Sequence, residues 1–134
     1  MLRHRFKCMV KLAKATFFAA GISGLLTLLP MYFLEERVGR DLPPPISHPE
    51  FYYGFIGVGI AWQLVFLLIG SDPARYRPVI VAAIVEKFSY GIAVLMLAAQ
   101  GRVAGPPLNF GIVDLVWGAL FTALYLSGGN GARP

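Results

Sequence analysis

At 134 residues the chain is long enough for one domain, and its 57% hydrophobic and 14% charged residues exclude an ordinary water-soluble one, for which about 45–50% and 25% are usual. The net charge of +5 does not mark a nucleic-acid binder, because five of the twelve basic residues (Arg3, Arg5, Lys7, Lys11 and Lys14) precede the first apolar run, which is the placement of a topogenic signal and not of a phosphate-tracking face. The single cysteine, Cys8, excludes an intrachain disulfide.

Residues 15–34 form the first stretch long enough to cross a bilayer and carry no charge; about 20 apolar residues rising 1.5 Å each match roughly 30 Å of hydrocarbon. A cleaved signal peptide is the competing reading. Against it, the apolar run is longer than the usual 7–15 residues, and "PMYFLEER" follows without a small-x-small cleavage site.

The stretch "GRDLPPPISHPE" then breaks the helix with three consecutive prolines and restarts one, with Ser47 as a cap, Pro49 near the first helical position and Glu50 in the first turn. Residues 51–70 are the second uncharged span. "GSDPARYRP" leads to a third span, residues 79–100, charged only at Glu86 and Lys87, and "GRVAGPPLN" to a fourth, residues 108–126, charged only at Asp114. Short connections make consecutive helices antiparallel neighbours. The expected fold is therefore all-α: a single polytopic domain, a four-transmembrane-helix up-down bundle.

Lysine and arginine counts set its orientation. One side carries the five N-terminal residues with Arg75, Arg77 and Arg133, eight in all, and the other carries Arg37, Arg40 and Arg102. Both termini are expected in the cytoplasm. The aromatic belt agrees, with Tyr32, Phe33, Tyr52 and Tyr53 near the outer surface and Tyr76 and Tyr125 near the inner one.

Ionisable residues at membrane depth are costly and default to a functional hypothesis. Glu86 lies about 10 Å below the inner surface and Asp114 about 9 Å below the outer, counted at 1.5 Å per residue. Neighbouring helical residues point about 100° apart, so Glu86 and Lys87 are expected to find their partners on other helices. Asp114 is the only other carboxylate inside the spans, which makes a Lys87 to Asp114 pair the expected contact, with the lysine stem able to close part of the axial gap. Glu86, Tyr90 one turn on, and Gln63 at similar depth form a companion hydrogen-bond cluster. Two plainer readings stand beside these: polar residues acting only as interhelical glue worth about 0.6 kcal/mol, and Lys87 snorkelling to the interface without a partner.

Trp62 and Trp117 fall in mid-membrane, away from the interface where tryptophan gathers. They either line a cavity with Gln63 and Tyr90 for an apolar ligand with a polar end, or fill the core. Ala20 with Gly24, Gly57 with Ala61, and Asp114 with Gly118 stand at the i+4 spacing that lets membrane helices approach closely. In the outer loop Glu35, Glu36, Asp41, His48 and Glu50 lack any metal-ligand spacing, so no metal is expected. No catalytic triad, Gly-rich phosphate loop or CxxC occurs, and no cofactor is expected. Arg75 and Arg77 face anionic lipid head groups at about 1 kcal/mol each.

The stretches "HPEFYYGFIGVGIAWQLVFLL", "DPARYRP" and "EKFSYG", with the lone Asp114, resemble the pattern of small four-helix membrane proteins of bacteria, and the four-span layout resembles the DoxX-like group. The resemblance implies a bacterial inner-membrane location and no particular activity. A more distant similarity, to the sterol-isomerase and sigma-receptor-like fold, implies buried acids that bind cationic or sterol ligands.

The sequence thus points to a non-enzymatic membrane protein, accessory or binding a small apolar ligand such as a lipid or quinone-like molecule. Its polar centre would comprise Gln63, Glu86, Lys87, Tyr90 and Asp114, flanked by Trp62 and Trp117. Its partners would be the lipid bilayer and a second copy or another membrane protein, not nucleic acid. A proton- or cation-coupled transporter and a lipid- or sterol-type isomerase using Glu86 or Asp114 are the rivals.

Overall fold

The computed structural model describes residues 2–128, all of whose regular structure is helical. Helix α1 runs Leu2–Leu28 and tightens into a 3₁₀ turn at Leu29–Phe33; α2 is Glu35–Asp41, α3 Pro49–Ser71, α4 Arg77–Ala99 and α5 Pro106–Gly128. The long helices α1, with its 3₁₀ extension, α3, α4 and α5 each meet the length and apolarity of a membrane span. The protein is an all-α bundle of four candidate spans.

Three features differ from the sequence expectation, each for a local reason. Helix α1 begins at Leu2, thirteen residues before Ala15, because nothing in "LRHRFKCMVKLAK" breaks a helix and lysine and arginine are good helix formers. The acidic stretch after the first span forms α2, with Glu35 and Glu36 in its first turn and Arg40 in its last, charges that oppose the helix dipole favourably at both ends. Helix α3 is capped at His48 and not at Ser47, without a side-chain cap bond; instead the backbone N–H of Phe51 donates to the His48 carbonyl at 3.1 Å.

The four long helices form two tightly packed pairs, α1 with α3 and α4 with α5, and the pairs meet along looser α3–α4 and α1–α5 seams. Glycines explain the difference, because without a hydrophobic drive in lipid, close approach is what holds helices together. A Cβ on Gly21 would stand 2.9 Å from the Gln63 carbonyl and one on Gly59 2.8 Å from Leu28, both between α1 and α3. One on Gly91 would stand 2.6 Å from Leu115 and 2.9 Å from the Gly111 carbonyl, and one on Gly111 2.8 Å from Val94, both between α4 and α5. The expected small-residue pairs fare unevenly. Gly24 and Gly118 sit at these contacts, whereas Gly57 meets only the Tyr32 hydroxyl at 3.5 Å.

The core fills the half of the bundle nearest the described chain ends. Phe17, Phe66 and Phe121 are fully buried there with Ile69 and Ala83. Phe17 stacks on Phe121 at 4.3 Å between ring centroids and Phe66 stands edge-on to Phe121 at 5.3 Å, arrangements worth about 0.5–1.5 kcal/mol each beyond the area they bury. Outward positions are apolar as well: Leu26, Phe51, Val58, Val85 and Leu126 are all more than 60% exposed, as lipid-facing side chains are.

Each end is fastened by aromatic residues. At one end the Tyr52 hydroxyl donates to the Met31 carbonyl and the Tyr53 hydroxyl to Glu35, both at 2.7 Å, and Tyr32 stacks on Tyr53 at 5.9 Å. At the other, the Arg77 guanidinium donates to the Tyr125 carbonyl at 3.0 Å and lies 4.2 Å over its ring. Tyr32, Tyr52 and Tyr53 therefore gather at one end of the bundle and Tyr125 at the other, while Arg133, counted above for orientation, lies outside the described residues.

Candidate functional site

Helix α4 is apolar on nearly every face, and its inward stripe is Ile80, Ala83, Lys87, Gly91 and Val94. A stripe recurring every three to four residues carries Lys87 into the bundle whatever its charge. Its side chain is only 6% exposed. The ammonium finds Asp114 on α5, donating to Oδ1 at 3.0 Å, because the Gly91 and Gly111 contacts bring the two backbones close enough for the lysine stem to span the remaining distance. The expected Lys87–Asp114 pair is formed, and the reading in which Lys87 snorkels without a partner does not hold.

Glu86 behaves differently from the expectation that it would pair only with another helix. Its Oε2 lies 3.3 Å from Lys87 Nζ. Adjacent side chains leave the helix about 100° apart, but the long lysine stem curls back far enough to place its head between the two carboxylates. The contact lacks hydrogen-bond alignment: Glu86 Oε2 is shut off from solvent and has no hydrogen-bond partner among the described residues. One ammonium is thus shared unequally, bonded to Asp114 and merely close to Glu86. Lys87 also lies 5.0 Å from the centre of the Phe66 ring, so the ion cluster rests directly on the aromatic core, with the ring face supplying some of the negative potential lost on leaving water.

The companion cluster of Glu86, Tyr90 and Gln63 is not formed. Gln63 belongs to the other helix pair: its amide donates to the Gly59 carbonyl in its own helix at 3.0 Å, and its side chain fills the space beside Gly24, where a Cβ would collide with it. Tyr90 turns its ring toward Phe55 of α3, 5.8 Å between centroids. Trp62 and Trp117 flank the phenylalanine core, 6.2 Å from Phe66 and 6.1 Å from Phe121, and so fill space. Of the seven residues singled out from sequence, the fold brings three together as a site.

Sequence reasoning missed Phe66, and it named Arg77 as a contact only for lipid head groups, whereas its guanidinium is bonded to Tyr125. Phe66 is one of ten phenylalanines, and nothing local marks it as the ring beneath the lysine. Arg77 had a signal, its place beside Pro78 at a helix start, but its partner is the far end of α5.

Clefts open on the surface at two places away from the triad. One, of about 220 Å³, runs along the outer side of α5 between Ile112, Val113, Val116, Trp117 and Leu120; the other, of about 330 Å³, lies beside α2 between Glu35, Glu36, Gly39, Arg40, Pro45 and Ile46. Neither is lined by Glu86, Lys87 or Asp114. What the triad can do chemically is hold α4 to α5 and present a carboxylate whose cation is engaged elsewhere. Compared with known proteins, the chain matches no family model, no curated protein and no solved structure.

Proposed function

We propose that the chain is a non-enzymatic accessory protein of the bacterial inner membrane, with both termini cytoplasmic, which acts by association within the bilayer and uses the Glu86–Lys87–Asp114 triad to hold its last two spans in register. The observation that carries this reading is the enclosure of the Lys87 ammonium. Lys87 is enclosed between two carboxylates and the Phe66 ring, and neither the α5 cleft nor the α2 cleft is lined by the triad, an arrangement suited to fastening helices. The resemblance to small four-span bacterial membrane proteins fits the same location.

The test is reconstitution of the full chain in proteoliposomes under proton and monovalent-cation gradients. The accessory reading expects no flux above empty vesicles, together with a lowered unfolding midpoint in detergent for Asp114→Asn. A flux that disappears in Glu86→Gln, with the fold intact, would establish the transporter instead.

A second reading, binding of a lipid or quinone-like molecule, rests on the apolar cleft of α5, whose wall includes Trp117. It expects a short-chain quinone to quench tryptophan fluorescence saturably, and Trp117→Phe to remove the saturable part.

A further inference from the structure

We infer that α4 presents, beside Glu86, a docking face for the transmembrane helix of a different protein that carries an arginine or lysine at membrane depth. The inference rests on the accessory reading above and specifies the chemistry of its partner.

The starting point is a charge deficit. The apolar stretches 15–34, 51–70, 79–100 and 108–126 contain two carboxylates, Glu86 and Asp114, and one ammonium, Lys87. Asp114 takes the hydrogen bond from that ammonium, and Glu86 accepts none through Oε2. The neighbouring donors do not serve it: the Ser89 hydroxyl donates to the Glu86 backbone carbonyl at 2.9 Å, the Gln63 amide donates to Gly59, and Tyr90, its ring packed against Phe55, gives no hydrogen bond to Oε2. On the elements packed around α4, α5 contributes only Asp114 as a charged group, and residues 51–70 of α3 and 15–34 of α1 contribute none.

Oε2 is buried against Lys87, but the Glu86 side chain as a whole is 20% exposed, and its opening, on the side of the carboxylate away from Oε2, lies beside a face of α4 made by Ala82, Val85 and Ser89, all exposed. Small residues flanking a bulkier ridge give an approaching helix a close seat. A carboxylate opening onto hydrocarbon at that seat wants a donor, and a charged one makes the strongest bond. A second copy of this chain brings the same two carboxylates and one ammonium, so self-association enlarges the deficit. A foreign helix with one guanidinium or ammonium cancels it. Glu86 lies nine residues into α4, about 14 Å along the helix, which sets the depth at which the partner's cation must stand.

The experiment uses the full chain in phosphatidylcholine vesicles, labelled with a donor dye at its exposed, single cysteine, Cys8. The probes are synthetic leucine- and alanine-rich transmembrane peptides, acceptor-labelled, identical except for Arg, Gln or Leu at the matching depth. The proposal expects energy transfer to show at least tenfold tighter association of the Arg peptide than of the Leu peptide. It also expects Glu86→Gln to abolish that advantage, and Val85→Trp, a change at a position 62% exposed, to weaken association without unfolding the protein. Equal binding of the Arg and Leu peptides, an advantage that survives Glu86→Gln, or competition by unlabelled protein as effective as by the Arg peptide would each overturn it. Failure of the peptide arm with vesicles still tight to protons removes the seat and leaves the accessory reading; proton or cation flux through the same vesicles removes the accessory reading itself.

Discussion

The two helix pairs solve the same packing problem with different chemistry. Between α1 and α3, close approach over Gly21, Gly24 and Gly59 is accompanied by one neutral polar side chain, Gln63, which satisfies its amide on its own helix. Between α4 and α5, an equally close approach over Gly91 and Gly111 is accompanied by three charges, of which Lys87 reaches across to Asp114 while Glu86 lies beside Lys87 on the same helix. The first pair would hold if its polar group were deleted. The second pair has made its stability depend on a charge balance, a costly arrangement in hydrocarbon unless something is gained by it. That asymmetry is what the proposed role of Glu86 builds on.

The sharpest way to break the contrast is Lys87→Met. It leaves Glu86 and Asp114 facing one another across a buried volume without a cation, and removing one partner of a buried ion pair costs about 3–5 kcal/mol. Equilibrium unfolding in mixed micelles should record that loss. The triple variant Lys87→Met, Glu86→Gln, Asp114→Asn should recover most of it, because neutral groups of similar shape no longer repel. If Lys87→Met alone unfolds at the wild-type midpoint, the charges contribute nothing to the pair.

The glycines test the half of the argument that the pairs share. Gly91→Ala would push a Cβ to 2.6 Å from Leu115 and 2.9 Å from the Gly111 backbone oxygen, and because backbone cannot yield, overpacking of about 1–3 kcal/mol is expected. Gly59→Ala meets the Leu28 methyl at 2.8 Å, the end of a flexible side chain, and should cost less. Equal losses would show that backbone proximity is not what distinguishes the two contacts.

The same contrast explains what could be read beforehand. The four spans were legible because length and apolarity are summed over about 20 residues, and the Lys87–Asp114 pair because two opposite charges in otherwise uncharged hydrocarbon have few alternatives. The pairing of helices was not legible. A soluble helix shows its inward face as a hydrophobic stripe, but Val85 faces outward and Val94 inward with no difference in chemistry between them. Gln63 was therefore assigned to Glu86 on depth alone, when it faces the other pair. Gly91 and Gly111, which set the distance that Lys87 must span, lack a small residue at i+4 in the pattern sought. The short helix α2 was read as loop because its charges suggested only surface.

Gln63 supplies a smaller and more diagnostic effect. Gln63→Leu removes an amide whose hydrogen bond stays within α3, and leucine keeps enough volume to cover Gly24. Polar contacts between membrane helices average about 0.6 kcal/mol, so a change no larger than that is expected, readable as a shift of the same unfolding midpoint. A loss comparable to that of Lys87→Met would mean that the α1–α3 pair is held by its polar group after all, and the contrast between the pairs would vanish.

The smallest effect on stability belongs to Glu86→Gln, and it is the one that separates structure from use. If the triad existed only to bind α4 to α5, its two carboxylates should matter alike. The geometry makes them unlike: Asp114 accepts the lysine's hydrogen bond at 3.0 Å, whereas Glu86 lies 3.3 Å away without alignment and with a buried oxygen unpartnered. Asp114→Asn should therefore cost about 1.5–3 kcal/mol, the range for loss of a hydrogen bond to a charged group. Glu86→Gln replaces a surplus negative charge by a neutral amide of the same shape, leaves one carboxylate to one ammonium, and should leave the unfolding midpoint unchanged or slightly raised. A residue whose charge the fold is better without is kept for something outside the fold, and the measurement of the two variants side by side in one micelle decides whether Glu86 is such a residue.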